Sequence, residues 1–335
     1  MTVSPTWPSS SSARSSRMTR RARSTSRSSQ RRRARPRGSP CRSRADAPPS
    51  SHSQAPPAPL RRRGCLALRV SDAAEFEQDG DVTWIRIGEH PQSAVSLSDP
   101  ELLVFEYVQH LALCIDAVFA RPAPLRVTHV GGAGLTLARW VHATRPGSPQ
   151  IVLEPDVALT ESVRRELPLP RGHRIRVRPL RGEEGVAGLA SASADLVILD
   201  AYVDGQVPSG LTTVEWLGEV ARVLAPGGLF LANLGDRPGL RYAARVASGA
   251  RAALGPGAQT AYVGLHQVLK SKGFGNVVLA ATRDPLPLFD MRRATARLAL
   301  PTGVVPPNDV ISRGANAAPF SAAAGDTADS PAPPT

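Results

Sequence analysis

Cysteine is scarce: the 335-residue chain has 3, at Cys41, Cys65 and Cys114. They are odd in number and show no Cys-x-x-Cys spacing, which argues against a disulfide framework or a structural zinc site and points to a reducing compartment. Long apolar runs are absent too, and none approaches the roughly 20 residues a membrane-spanning helix requires. The basic N-terminus has no apolar segment behind it, so it does not read as a secretory signal; a cytoplasmic location is expected. The histidines (His52, His90, His110, His129, His142, His173, His266) form no HxxxH or HExxH pair, and no GxSxG occurs. Zinc and serine hydrolysis therefore lack support, and no metal is expected.

Charge is unevenly placed. The formal total is +13, but residues 1–64 hold sixteen Arg and a single Asp, a balance of +15, which leaves −2 on the remainder. The near-neutral remainder offers no phosphate-binding face, so nucleic acid is expected only through the Arg-rich segment, if at all. Residues 1–63 are almost entirely Ser, Arg, Pro and Ala, with too little apolar surface to offset the entropy of ordering, and are predicted to be disordered. Residues 306–335 return to Pro, Ala, Ser and Asp and carry the same expectation.

Between these tails the pattern changes twice. Over 64–98, short β-like runs (Leu66–Val70, Val82–Ile87, Ala94–Leu97) are separated by turn residues, which predicts a small hairpin or antiparallel sheet. A helix is predicted next, with Ser98 or Asp99 as cap, Pro100 at its first position and Glu101 in its first turn. From there to about residue 300, apolar runs alternate with helical periodicity. The fold class expected for 99–300 is therefore α/β: a Rossmann-like, mostly parallel sheet with helices on both faces.

The stretch Arg126–Asp156 organises that domain. An apolar run ending at Val130 meets Gly131, Gly132 and Gly134, then a helical pattern, then a second apolar run ending in Glu154. Glycines at such a strand-to-helix turn let the backbone approach a ligand. An acid at the end of the second strand, about 20 residues past the loop, is placed to accept hydrogen bonds from ribose hydroxyls. The position where dinucleotide sites want a third glycine is Leu137, which disfavours NAD, and no Gly-Lys-Ser/Thr follows to make a P-loop. An adenosyl sulfonium such as S-adenosylmethionine fits better; a plain tight turn with a solvated acid is the alternative. A second signal is Asp200, which closes the apolar run DLVILD at the same predicted sheet edge. A partly desolvated carboxylate there could position or deprotonate an amine, with Tyr202 and Asp204 lining the same pocket.

These motifs carry a resemblance. HVGGAGLTLARW, VLEPD, DLVILDAY and VLAPGGLFLANL resemble successive motifs of the spermidine synthase family, whose fold is that of the class I S-adenosylmethionine-dependent methyltransferases. PQSAVSLSDPELLVFEYV and LHQVLKSKGFGNVVLAAT extend the similarity over about Leu66–Pro287. The resemblance implies polyamine biosynthesis: aminopropyl transfer from decarboxylated S-adenosylmethionine to a small-molecule diamine. It also implies that Gly131, Gly132 and Gly134 form the donor loop and that Glu154 holds the ribose. Gln92 would touch the donor, Asp200 would handle the attacking amine and Tyr107 would lie near the acceptor. It leaves room for a homodimer. Two positions depart from the family: GGAGLT has no acid where one usually grips the aminopropyl ammonium, and RPLRGEE puts Arg181 about where an adenine-reading Asp belongs. A methyltransferase using S-adenosylmethionine, or a noncatalytic paralogue binding a nucleoside or a protein, are the alternatives.

Overall fold

The computed structural model describes residues 74–88 and 90–334. The expected Arg-rich tail over 1–63, the short run Leu66–Val70, and Cys41 and Cys65 lie outside the described residues. Among the described residues, no helix is long and apolar enough to cross a membrane.

The chain enters through an antiparallel three-stranded sheet, β1 (Glu75–Asp79), β2 (Val82–Ile87) and β3 (His90–Ser96), in that spatial order. Ile85 and Val95 leave the sheet fully buried and join Leu135, Val152 and Leu159 in a small apolar cluster. The capping signal at 98–101 makes a turn here, not a helix start. Asp99 N donates to Ser96 Oγ (3.0 Å), Glu101 N donates to Asp99 Oδ1 (3.0 Å) and Leu102 N to Asp99 O (3.1 Å). Short polar side chains satisfy a turn's amides as readily as a helix's. Helix α1 begins later and spans Glu106–Val118, burying Val108, Leu111, Ala112 and Ile115 at three- and four-residue spacing.

Strand and helix then alternate. In order come β4 (Val127–Val130), α2 (Thr136–Thr144), β5 (Gln150–Leu153), α3 (Val157–Glu166), β6 (Ile175–Arg178), α4 (Gly182–Ala187), β7 (Ala194–Leu199), α5 (Val214–Val223) and β8 (Leu224–Asp236). After these come α6 (Arg241–Leu254), β9 (Gln259–Leu265), α7 (His266–Leu269), β10 (Gly275–Thr282), α8 (Leu288–Thr295), β11 (Thr302–Val305) and α9 (Pro307–Arg313). One eight-stranded sheet results, in the order β11-β9-β10-β8-β7-β4-β5-β6. Strands β4 to β8 pair in parallel with one another, while β8–β10, β10–β9 and β9–β11 are antiparallel.

Both faces are covered, and the sequence shows why. Along β7, Val197 and Leu199 face one apolar cluster with Trp216, Val220, Tyr242 and Val246 of α5 and α6, while Leu196 and Ile198 face the other, with Leu111 of α1, Trp140 of α2 and Met291 of α8. A strand buried on both sides reads as an unbroken apolar run. Trp140 and Trp216 are core residues of these clusters, and buried His129 is satisfied by Gln150 at 2.9 Å.

The C-terminal expectation is corrected. Residues 306–334 are not an unstructured tail: α9 packs Val310 into the core, Phe320 is 2% exposed and Ser330 0% exposed. Composition alone missed this, because a single aromatic anchor and a run of backbone hydrogen bonds hold the segment without a periodic apolar pattern.

Candidate active site

Strand order places the site. From β4 the chain steps outward through β5 and β6, then returns to the other side of β4 for β7 and β8. The sheet's switch point lies between β4 and β7, where crevices at carboxyl ends take ligands. There Val130 pairs in register with Leu153 on one side and Leu199 on the other. The residues that leave these ends next are Gly131, Glu154 and Asp200, so three expected site residues emerge side by side from adjacent strands.

The glycine loop is sterically tight. Gly131 has φ +84°, and a Cβ there would fall 2.2 Å from Asp200 O, so only glycine lets the loop close against the chain leaving β7. At Gly134 a Cβ would fall 2.6 Å from Ile85 Cδ1 and 2.8 Å from Ser93 Cβ. Its amide donates to Ser93 Oγ at 3.0 Å, so the N-terminal sheet supports the loop directly. Two non-glycine residues, Ala133 (φ +32°) and Leu135 (φ +60°), also sit at positive φ, a costly conformation of the kind that clusters at ligand-binding turns.

Glu154 is half-buried. Its Oε1 accepts from Asp156 N at 3.0 Å, and the amides of Gly132 and Ala133 lie close enough to favour the charged carboxylate. Burial raises its pKa above the ordinary value, against the lowering effect of these amides. Gln92 is half-buried on β3, next to the Ser93 that holds Gly134.

Asp200 stands among polar aromatics. Burial pushes its carboxyl up to about 6, opposed by a hydrogen bond from Asn233 Nδ2 to Oδ1 at 3.0 Å. Tyr107 and Tyr202 are both half-buried, and burial first, then the Asp200 charge, raises both phenols well above their ordinary value. Tyr202 is fixed through its hydroxyl, which donates to Asn233 O at 3.1 Å. Tyr107 stacks on Phe105 (centroids 5.7 Å apart), which in turn meets Trp84 edge-on at 5.7 Å. The arrangement is a carboxylate whose affinity for a proton is raised, with no arginine or lysine among the described residues acting on it, beside an aromatic wall. It suits a cationic amine. Asp204 stands apart: it is exposed, at φ +50°, and with Gly205 (φ +74°) makes the tip of the turn closed by Val203 and Gln206.

Two contributors were not anticipated from the sequence. Asn233, 1% exposed in the apolar run LFLANL, orients Asp200, and a lone amide in a doubly buried strand is the signal that could have found it. Ser93 gave no such signal. Among the described residues no group of three or more His, Cys, Asp and Glu side chains could hold a metal.

No protein-family model matches the chain. The polyamine aminopropyltransferase of Chromobacterium violaceum is 24% identical over 177 residues, 52% of this chain and 66% of that protein. The polyamine aminopropyltransferase of Alkalilimnicola ehrlichii is 31% identical over 130 residues, 37% of this chain and 45% of its own length. The match thus spans less than two thirds of these curated relatives. A solved structure, a probable spermidine synthase from Corynebacterium glutamicum, superposes with a TM-score of 0.67 at 28% identity, covering 74% of this chain and 92% of that one. The chain is thus similar in fold to that probable spermidine synthase. The chain has both the large sheet with flanking helices and the preceding small sheet expected from its sequence, and the named relatives are transferases.

Proposed function

We propose that this chain is a transferase that moves an aminopropyl group from an adenosyl sulfonium donor, decarboxylated S-adenosylmethionine, to a small diamine, and that it works in the cytoplasm. The observation that carries the reading is the in-register emergence of Gly131, Glu154 and Asp200 from β4, β5 and β7. Without Cβ atoms at Gly131 and Gly134 the loop packs directly on the chain leaving β7 and on the N-terminal sheet, and in this reading an adenosyl group lies against that loop, with Glu154 accepting from its ribose hydroxyls. When bound, the sulfonium supplies an electrophilic carbon and a neutral thioether leaving group. The chain's own residues handle the amine. A carbon–nitrogen bond forms as the carbon–sulfur bond breaks, and the nitrogen must shed a proton. An aliphatic amine, with a pKa near 10, is almost wholly protonated at neutral pH. Asp200 holds the ammonium and accepts its proton, Asn233 orients the carboxylate, and Tyr107 and Tyr202 shape the acceptor side while limiting access of water.

A second reading has one observation in its favour. The loop Gly131–Thr136 carries no acid to meet an aminopropyl ammonium, which favours S-adenosylmethionine and methyl transfer. Calorimetry with S-adenosylmethionine, its decarboxylated form and methylthioadenosine separates the readings, and the first requires the decarboxylated form to bind tighter than S-adenosylmethionine. Under that reading Asp200→Asn lowers turnover by about 10²-fold or more with nucleoside affinity little changed. Unchanged turnover removes Asp200 from the mechanism, and nucleoside binding by a parent that transfers nothing leaves the noncatalytic reading.

A further inference from the structure

The segment that follows α9 is bonded to the loop that follows Asp200. Phe320 packs on Tyr242 (centroids 5.3 Å) under the Arg245 guanidinium. The adjoining turn is held by Glu215, whose carboxylate accepts from Ser321 Oγ (2.7 Å), Ala322 N (3.0 Å) and Ala323 N (3.1 Å). Beyond it the chain runs along residues 205–209. Asp329 Oδ1 accepts from Ser209 N at 2.7 Å, Ser330 Oγ accepts from Val207 N at 2.8 Å, and Ser330 N donates to Val207 O at 3.1 Å. The Gln206 side-chain amide donates to Ser330 O. Val207 and Ser330 are both 0% exposed, so each depends on the other for its buried polar groups. Pro331 O also lies near Gly235 of β8, 3.9 Å from where a Cβ there would sit, close along the strand to Asn233, whose carbonyl accepts from the Tyr202 hydroxyl at 3.1 Å.

We propose that Asp329 and Ser330 are positioning residues for the amine acceptor: this strap holds residues 205–209 closed and so fixes the loop that carries Tyr202, the wall against which the amine rests. The proposal rests on the reading of Asp200 as the acid that receives the amine. The strap touches the chain leaving β7 and the end of β8, and none of its contacts reaches Gly131–Gly134 or Glu154. Its effect therefore falls on the acceptor and spares the donor.

The test uses the full chain carrying Ser330→Ala, with Asp329→Asn as a second, exposed substitution that leaves packing intact. Hydrogen exchange read by mass spectrometry on the peptide spanning 203–211 reports closure without reference to activity, and steady-state kinetics report KM for putrescine and for decarboxylated S-adenosylmethionine separately. Expected are faster exchange in that peptide, a rise of about tenfold in the putrescine KM for Ser330→Ala and a smaller one for Asp329→Asn, with the donor KM within about twofold of the parent. Faster exchange with an unchanged putrescine KM would make the strap a structural brace alone and overturn the proposal, as would equal rises in both KM values or unchanged exchange. A parent that transfers nothing to any amine overturns the proposed function and this inference with it, whereas an active parent with unaffected variants overturns this inference only.

Discussion

Replacing Asn233 with leucine removes a single donor from Asp200 and keeps roughly the same volume in the strand. A hydrogen bond to a charged group contributes about 1.5–3 kcal/mol, and one pKa unit corresponds to about 1.36 kcal/mol. The Asp200 carboxyl, held at about 6 with Asn233 in place, therefore moves up to between about 7 and 8. The sign is fixed by the direction of the bond: Nδ2 donates to the ionised form at 3.0 Å, so losing it favours protonation. At pH 7 the ionised fraction falls from about nine-tenths to between about one-half and one-tenth, so a rate that needs the carboxylate drops about twofold to tenfold and recovers above about pH 9. The assay is the pH dependence of initial rates with saturating donor, compared with carboxyl titration by carbon-13 NMR, which does not depend on turnover. A rising limb that stays near pH 6 in Asn233→Leu, or a loss of rate equal at every pH, would refute the assignment of Asn233 as the group that tunes Asp200.

Other outcomes follow from the same geometry. Because burial raises the Asp200 pKa from 3.8 to about 6, the protonated form favours folding fully below about pH 4, and that preference is lost as pH rises through about 6. Asp200→Asn should accordingly stabilise the protein by on the order of 1–3 kcal/mol at pH 7.5 and by little at pH 4, and equal thermal midpoints at both pH values would contradict it. Glu154→Ala should weaken methylthioadenosine binding by about 1 kcal/mol or more in calorimetry; parental affinity would remove Glu154 from the donor site. Phe320→Ala should cost about 3–5 kcal/mol in denaturant unfolding, whereas a C-terminal segment free of the core would show no loss.

The parts of the fold that could be read from the sequence are those where one local pattern has one physical solution. β7 and residues 229–234 of β8 are apolar on both sides because helices cover both. The relation among Gly131, Glu154 and Asp200 was legible because each follows directly on a strand end, and parallel strands bring their ends to one edge. Where one pattern has two solutions, the sequence misled: Ser98, Asp99 and Pro100 serve a turn as well as a helix cap, and the C-terminal segment is anchored by Phe320 and by backbone pairing that composition does not encode. Asn233, Ser93 and Ser330 act through contacts between distant segments, which spacing along the chain cannot reveal.

The hydroxyl of Ser93 on the Gly134 amide joins residues 41 apart in the chain, and that of Ser330 on the Val207 amide joins residues 123 apart. Closing loops of such length costs entropy before any contact offsets it. The glycine loop thus takes its support from an upstream segment and the Asp200 loop from a downstream one, both outside the parallel strands β4 to β8. A change that loosens either of these distant segments therefore reaches a loop of the candidate site without altering any residue of that loop.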